Sequence, residues 1–266
     1  MYSFDIVQSL SPSRDVHPQD TMYKKDSPDH YFAVGRSMLW AVFNCLNLRA
    51  SYKFGLSNIE RIFDFGCGYG RVTRYFRSAF PEAEVHVTDF DARGVQFCVE
   101  QFQCLDTQGG IAENFYDLIF LGSVFTHLPS QTVSQLLPLL LKALRPNGVL
   151  IFTTQGRFPV ERMRGFDWEN DKGRSWMHYN LEREAFEKLV RMFQETDYGF
   201  VDYPKRTGYG VAIASPFWYS REILKNTSFI QILLQEKGFD NHQDVSAFMR
   251  ADVADLAKGP LFFARG

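Results

Sequence analysis

Glycines that alternate with other residues are the part of this chain best suited to bind a ligand. Residues 62–65 are mostly apolar, which is typical of a buried strand, and apolar residues at helical spacing resume within 72–76. Between these segments stand three glycines: Gly66, Gly68 and Gly70. A turn without Cβ atoms lets a ligand lie against the backbone and against the first N–H groups of the helix. The segment therefore predicts a nucleotide-type site between a strand and a helix.

The spacing of the glycines narrows the class of ligand. A dinucleotide-binding turn requires a further glycine at the position that Arg71 occupies. A P-loop ends in Gly-Lys-Ser/Thr, and no such triplet follows the turn. The pattern here is instead Asp-x-Gly-x-Gly-x-Gly, which begins at Asp64. The sequence thus disfavours a nicotinamide oxidoreductase, an alternative that a titration with the dinucleotide would test.

An acidic residue follows the next predicted strand. Residues 84–88 read as this second strand, and Asp89 comes directly after it, 25 residues beyond Asp64. A carboxylate at this place can accept hydrogen bonds from two neighbouring ribose hydroxyls. Asp91 has another interpretation, as the N-cap of a helix over 92–103. Phe90 is expected either to pack on an adenine ring or to be an ordinary core aromatic.

Four segments, taken together, resemble the class I S-adenosylmethionine-dependent methyltransferases. They occur in the order and spacing of that family and lie within residues 55–156: Asp64–Gly70, Glu84–Asp89, Tyr116–Ser123 and Leu144–Phe152. The resemblance implies an α/β fold with a Rossmann-like, seven-stranded sheet of strand order 3-2-1-4-5-7-6. It also implies an N-terminal cap helix, insertions on the substrate side, and a seventh strand that alone is antiparallel. The third strand is expected to be short, because only residues 104–115 are available for it.

The resemblance implies S-adenosylmethionine as the cofactor and S-adenosylhomocysteine as the product. Asp64 is expected to contact the cofactor's amino group or a water molecule, and Asp89 its ribose. The remaining predicted contacts are the backbone of the turn, the adenine face and the floor under the methionine part: Gly66, Cys67, Gly68, Gly70, Phe90, Gly122 and Ser123.

A helix before the first strand is a further candidate for cofactor binding. Residues 31–50 show helical spacing of apolar side chains. The stretch 29–37 resembles a cap that closes over the cofactor in some family members. Tyr31 and Arg36 are then candidates to hold the cofactor's carboxylate, which a guanidinium matches bidentately. The alternative is an exposed arginine on an ordinary packing helix.

Two histidines are candidate general bases. His127 follows strand four, where many small-molecule methyltransferases of this family carry a histidine. An imidazole there can take a proton from a hydroxyl near neutral pH. The implied topology starts strand seven at the same edge of the sheet, which brings His242 beside the pocket. For both histidines the alternative is a structural hydrogen bond within a loop or turn.

Composition limits the other possibilities. The chain has 266 residues and a formal charge of −2 without a long basic run, so we expect no binding to nucleic-acid phosphates. The four cysteines have no metal-ligand or redox spacing, which predicts no metal and reduced thiols in the cytoplasm. There is no apolar run of membrane-spanning length and no signal peptide. The oligomeric state stays open.

One structural domain is predicted, with four parts. These are an N-terminal arm and cap helix (1–54), a cofactor-binding core (55–156), substrate-side insertions that complete the sheet (157–250), and a C-terminal tail (251–266). The predicted elements include helices over 130–144 and 181–193 and an aromatic hairpin or cap over 198–219. Strands are expected over 149–154, 229–234 and 244–249.

The predicted activity is methyl transfer to an oxygen or nitrogen atom of a small molecule or sugar derivative. The chain lacks the Asp/Asn-Pro-Pro-Tyr/Phe tetrapeptide after strand four that is characteristic of enzymes methylating base amines. Two alternatives remain open: a catalytically silent cofactor-binding module that acts through a protein partner, and a protein methyltransferase.

Overall fold

A seven-stranded sheet forms the centre of the protein. The computed structural model describes residues 1–54, 59–171 and 179–251. Seven strands lie in the sheet and two form a separate hairpin: β1 (Arg61–Phe65), β2 (Glu84–Thr88), β3 (Leu105–Asp106), β4 (Tyr116–Leu121), β5 (Leu144–Thr154), β6 (Tyr198–Asp202), β7 (Gly210–Ala214), β8 (Phe229–Phe239) and β9 (Gln243–Arg250). The order in the sheet is β3-β2-β1-β4-β5-β9-β8.

This arrangement confirms the predicted fold class. Strands β1 to β5 pair in parallel, whereas β9 is antiparallel to both β5 and β8. Because β6 and β7 pair only with each other, β8 and β9 are the sixth and seventh strands of the predicted order. Strand β3 has two residues, as short as expected. Strand β5 is longer than predicted, because Leu144 already pairs with Tyr116 before a bulge.

Helices cover both faces of the sheet. They are α1 (Phe4–Ser9), α2 (Pro28–Arg49), α3 (Thr73–Ala79), α4 (Ala92–Phe102), α5 (Ser130–Ala143), α6 (Arg157–Arg164), α7 (Arg183–Thr196) and α8 (Pro216–Leu224). Two hydrophobic cores lie on opposite faces of the sheet. Side chains of neighbouring strand residues alternate between them, as those of Ile62 and Phe63 do in β1. The first core lies against α2 and α4, and the second against α5 and α8. Such strands, buried on both faces, are typical of parallel sheets.

A third layer packs beside the sheet. Strands β6 and β7 form an antiparallel hairpin that packs with α6 and α7 around a separate hydrophobic cluster. The hairpin confirms the predicted aromatic hairpin, which continues into α8. The predicted N-terminal arm is not wholly extended, since α1 forms there with Ser3 as its N-cap. Residues 172–178 of the predicted substrate-side insertions and the predicted tail after residue 251 lie outside the described residues.

None of the helices in the described part of the chain is long and apolar enough to cross a membrane.

Candidate active site

A large pocket opens at the carboxyl ends of β1, β2 and β4. Its volume is about 1020 Å³, at the upper end of the range for ligand sites. The residues that follow the three strands line it, including 64–69, 88–90 and 122–124. Ligands of open α/β sheets bind at this edge, because the chain leaves the sheet there in opposite directions.

The glycine turn is tied to the end of β2. The N–H groups of Gly66 and Cys67 both donate to the Thr88 carbonyl oxygen, at 2.8 and 3.1 Å. The Gly68 N–H donates to Asp89 Oδ2 at 2.8 Å. These contacts place the turn and the predicted ribose-binding carboxylate on the same side of the pocket, as a nucleoside site requires.

The glycines of the turn are needed for different reasons. Gly68 and Gly70 both have positive φ, at +52° and +75°. A Cβ on Gly70 would lie 2.3 Å from the Phe102 ring, so the core leaves no room for a side chain at this position. Among the described residues, a Cβ on Gly68 would meet no atom within 4 Å, and Gly68 lines the pocket. The free space beside Gly68 allows a ligand to approach the backbone closely.

Two carboxylates belong to this part of the pocket. Asp89 also accepts the Asp91 N–H through Oδ1 at 2.9 Å, while Asp91 caps α4, as predicted. Asp64 is fully buried and accepts a hydrogen bond from Thr73 Oγ1 at 2.6 Å. Burial raises the pKa of Asp64 to about 7, and the Thr73 hydrogen bond opposes that shift. A cationic ligand group beside Asp64 would favour its ionised form.

Ser123 is held rigidly on the floor of the pocket after β4. It has φ of +59°, and its N–H donates to Thr153 Oγ1 at 2.8 Å. Its hydroxyl donates to Gln243 Oε1, which also accepts from Thr153 Oγ1 at 2.6 Å. Gly122 and Ser123 both line the pocket, where the sequence places them. The start of β9 thus supports the floor.

His127 lines the pocket with a defined tautomer. Its Nδ1 lies 2.8 Å from the carbonyl oxygen of Gly210 in β7. A carbonyl can only accept, so Nδ1 carries the hydrogen and the Nε2 lone pair stays available. Burial lowers the pKa of His127, and the hydrogen bond to Gly210 partly opposes this shift. The ring of Tyr209 stacks on the imidazole at a centroid distance of 5.0 Å. The arrangement keeps a neutral imidazole that can accept a proton.

His242 does not line the pocket, although the topology that suggested it is correct. Arg162 Nη1 lies 3.2 Å from its Nδ1, and the Tyr179 hydroxyl lies 2.5 Å from its Nε2. Since a guanidinium only donates, Nδ1 accepts and Nε2 donates to Tyr179. Burial and the neighbouring Arg162 lower the pKa of His242 to about 4. Both ring nitrogens are therefore engaged in a structural cluster, which corrects the expectation of a second base.

Tyr31 and Arg36 do not line the pocket either. The Tyr31 hydroxyl is buried and donates to Asp20 Oδ2 at 2.7 Å. Arg36 hydrogen-bonds the Tyr75 hydroxyl and lowers its pKa, which burial raises. The pocket is lined instead by Arg71, the residue that replaces the third glycine of a dinucleotide turn. Tyr31 and Arg36 thus bond to other side chains of the protein rather than line the pocket.

The outer wall of the pocket combines apolar, aromatic and basic side chains. Phe90 lines it and is 82% exposed, which excludes the core interpretation, while its contact with adenine stays a prediction. Its ring lies 5.7 Å from that of Tyr209. The rest of the wall comes from α5 and from the loop between β6 and β7: Leu136, Leu139, Arg206 and Thr207. Asp20 and Met22 also line the pocket, and no local sequence pattern marks them.

Comparisons with known proteins agree with the fold and the turn. Residues 63–150 match the model of a family described as a methyltransferase domain. The chain is 27% identical over 170 residues to a malonyl-acyl-carrier-protein O-methyltransferase of Bacillus cytotoxicus, covering 61% of this chain and 58% of that protein. The enzyme of the same name from Bacillus anthracis is 28% identical over 186 residues, covering 67% and 61%. The chain thus spans about three fifths of the length of these curated relatives.

The fold itself is shared with distant solved structures. The PH0226 protein of Pyrococcus horikoshii superposes with a TM-score of 0.51 at 11% identity, covering 88% of this chain and 96% of that one. At this identity the similarity concerns the fold alone.

Proposed function

Because the chain belongs to the class I S-adenosylmethionine-dependent methyltransferases, we propose that it methylates an oxygen atom of a small-molecule or carrier-bound acceptor. The observation that carries this proposal is the glycine turn joined to Asp89 at the edge of a 1020 Å³ pocket. The curated relatives of this chain are O-methyltransferases, which favours oxygen over nitrogen as the methylated atom. A sugar hydroxyl remains a variant of the same proposal.

The cofactor residues are assigned within this proposal. The turn binds through its backbone, Asp89 accepts the ribose hydroxyls, and Asp64 faces the cationic end of the cofactor. Gly122 and Ser123 form the floor, and Phe90 covers the adenine. When bound, S-adenosylmethionine supplies an activated methyl group on a sulfonium. The protein aligns the acceptor and excludes water.

His127 has a role that depends on the acceptor. A hydroxyl needs a base to remove its proton, and His127 presents a neutral Nε2 for this step. A carboxylate is already ionised near neutral pH and needs none. The relatives' printed acceptor is malonyl-acyl-carrier protein, which has a free carboxylate. His127→Gln therefore separates the cases: a large loss of rate indicates a hydroxyl, and an unchanged rate indicates a carboxylate.

The direct experiment is to incubate the protein with methyl-labelled cofactor and a cell extract and to identify the labelled product. We expect the labelled product to be a small or carrier-bound molecule. If the product is a methyl ester, mild base treatment should release the labelled methyl group. Label on a protein side chain would support the protein methyltransferase. Tight binding of S-adenosylhomocysteine without transfer to any extract fraction would support the silent binding module.

Two further parts of the proposal concern organisation and location. We assign the cofactor-binding core to 55–156, and to 157–250 the substrate-side insertions together with the completion of the sheet. The cluster of α6, α7, β6 and β7 is separate from the two cores of the sheet, whereas β8 and β9 belong to the sheet itself. We also propose a reducing compartment such as the cytoplasm, because the four cysteines are free and buried.

A further inference from the structure

The carboxylate and guanidinium groups that line the pocket lie in two places. Asp64, Arg71 and Asp89 belong to the glycine turn and to the end of β2. Asp20 lies close enough to Arg71 to raise its pKa. Arg206 is separate from all of these, because it comes from the loop between β6 and β7. The hairpin thus places a positive charge on a part of the wall that the glycine turn does not form.

The loop that carries Arg206 is closed by its own hydrogen bonds. The Arg206 N–H donates to the Tyr203 carbonyl oxygen at 3.0 Å, and the Tyr203 N–H donates to the Tyr209 carbonyl oxygen at 3.1 Å. The Gly208 N–H donates to Asp202 Oδ1 at 2.7 Å. Asp202, the acid nearest to Arg206 in the sequence, is therefore used to hold the backbone of the loop. These bonds fix the position from which the Arg206 side chain extends.

The Arg206 guanidinium is available to a ligand. Within the described part of the chain no acidic side chain forms an ion pair with it. It lies over the ring of Tyr209, 5.6 Å from the centroid, and Tyr209 stacks on His127. A guanidinium carries five N–H donors in one plane, and this geometry matches two oxygens of a carboxylate or a phosphate. Arg206 therefore suits an oxyanion that lies near His127 and Tyr209.

Helix α5 lines the same pocket with a second face. Its first face is apolar and buried in the core. The second face consists of four residues at the helical spacing i, i+3, i+4 and i+7: Thr132, Gln135, Leu136 and Leu139. The polar pair comes first, after His127, and the leucines follow along the helix. Leu139 is 53% exposed, so this end of the face offers apolar surface that a ligand can cover.

We propose that the acceptor is an amphiphilic acid, whose carboxylate or phosphate pairs with Arg206 and whose apolar part lies against Leu136 and Leu139. Arg206 is then a specificity-determining residue, because an uncharged analogue would leave its guanidinium without an anion. The inference rests on the proposed function, since it takes the wall formed by α5 and the hairpin loop as the acceptor site. The paired oxyanion is either the group that receives the methyl group or a second group of the acceptor.

Calorimetry with matched probes tests the charge of the acceptor. The protein is first saturated with S-adenosylhomocysteine and then titrated near neutral pH with octanoate, octyl phosphate and 1-octanol, which have the same chain length. Octanoate is ionised under these conditions. We expect at least one of the two anions to bind about tenfold or more tightly than 1-octanol, since charge-assisted hydrogen bonds are stronger than neutral ones. If 1-octanol binds as tightly as both anions, the inference is wrong.

Variants separate the charge from the apolar contact. Arg206→Gln should raise the Kd of the preferred anion about tenfold and leave the Kd of 1-octanol unchanged, whereas a loss shared equally by both probes would contradict the pairing. Lys205→Gln is the matched control, because Lys205 is an exposed cation that does not line the pocket. Leu139→Asn should weaken both probes severalfold. Ser134→Asn, at an exposed position of α5 outside the pocket, should weaken neither.

Turnover with S-adenosylmethionine then identifies the role of the oxyanion. Formation of methyl octanoate would support a carboxylate that is itself methylated, whereas binding of either anion without transfer would support an oxyanion that anchors a larger acceptor. The outcomes also distinguish this inference from the function on which it rests. If the protein does not bind S-adenosylhomocysteine at millimolar concentration, the proposed function fails. If the protein binds it but does not prefer either anion to 1-octanol, only the assignment of Arg206 is wrong.

Discussion

Alanine substitutions in the glycine turn should separate folding from ligand binding. At Gly70 the new methyl group would lie 2.3 Å from the Phe102 ring and 3.1 Å from Cys98 Sγ, at φ of +75°. Overpacking costs about 1–3 kcal/mol, and left-handed backbone adds about 1–2 kcal/mol for a residue with a Cβ. We expect Gly70→Ala to lose about 3 kcal/mol or more, a large part of a typical stability of 5–15 kcal/mol.

Gly68→Ala should behave differently. Its methyl group meets nothing within 4 Å, so only the backbone term of about 1–2 kcal/mol applies. In a domain of this size that corresponds to a fall in Tm of about 3–6 °C. The methyl group would occupy the space in which the ligand approaches the backbone. We therefore expect at least a tenfold rise in Kd for S-adenosylhomocysteine.

Gly109→Ala is the matched control. Gly109 also has positive φ, +78°, a Cβ added there would meet no atom within 4 Å, and the residue does not line the pocket. It should show the same small fall in Tm and an unchanged Kd. Thermal melts and calorimetric titrations of the three variants test the reasoning. Binding by Gly68→Ala at the unaltered Kd would show that the ligand does not lie on the turn, and a normal Tm for Gly70→Ala would refute the packing argument.

Three further predictions concern charged and titrating groups. Asp89→Asn should raise the calorimetric Kd for S-adenosylhomocysteine about tenfold or more, because charge-assisted bonds to the ribose are lost. Asp106 is an exposed acid on β3, and Asp106→Asn should leave the Kd unchanged. Asp64 has a folded pKa of about 7 against an ordinary value of 3.8, so the folded state binds the proton more tightly and its stability should fall as pH rises from about 4 to 7. At 1.36 kcal/mol per pH unit, the free energy of unfolding should fall by at most about 4 kcal/mol. Urea unfolding at pH 5 and pH 8 measures this fall, and the Asp64→Asn variant should not show it. With a hydroxyl acceptor, His127→Gln should reduce kcat by about 10²–10⁴-fold. Because burial lowers the pKa of His127, the acid limb of kcat/KM for the unaltered enzyme should lie below the ordinary histidine value, and an acid limb centred above pH 7 would contradict a neutral His127.

Local signals predicted part of the sheet. Strand β2 has the predicted bounds, Glu84–Thr88, and Asp91 caps α4, because an apolar alternation and a capping acid act within a few residues. The antiparallel seventh strand followed from the resemblance, and β9 confirms it. The length of β5 could not be read from the sequence, because its first residues are extended only through pairing with Tyr116.

The site was predictable where its residues directly follow strands of the sheet. The turn and Asp89 meet because adjacent parallel strands end at the same edge, which the order of the strands reveals. Asp20 lies at the pocket and accepts a hydrogen bond from Tyr31, and Arg74 donates to carbonyl oxygens about sixty positions away. Contacts between residues so far apart in the chain produce no characteristic spacing in the sequence, so they could not be predicted from it. His242 shows the opposite limit. The predicted topology of the seventh strand was correct, but Arg162 and Tyr179 bond both ring nitrogens of His242, which does not line the pocket.

The bond between His127 and Gly210 has an evolutionary consequence. The carbonyl that fixes the imidazole tautomer belongs to β7, and the Tyr198 hydroxyl of β6 bonds the Leu128 carbonyl in the same loop. A descendant that exchanged this hairpin for another would lose the bond that fixes the tautomer of His127. A replacement hairpin would therefore have to offer a carbonyl oxygen at the same place to keep the hydrogen on Nδ1.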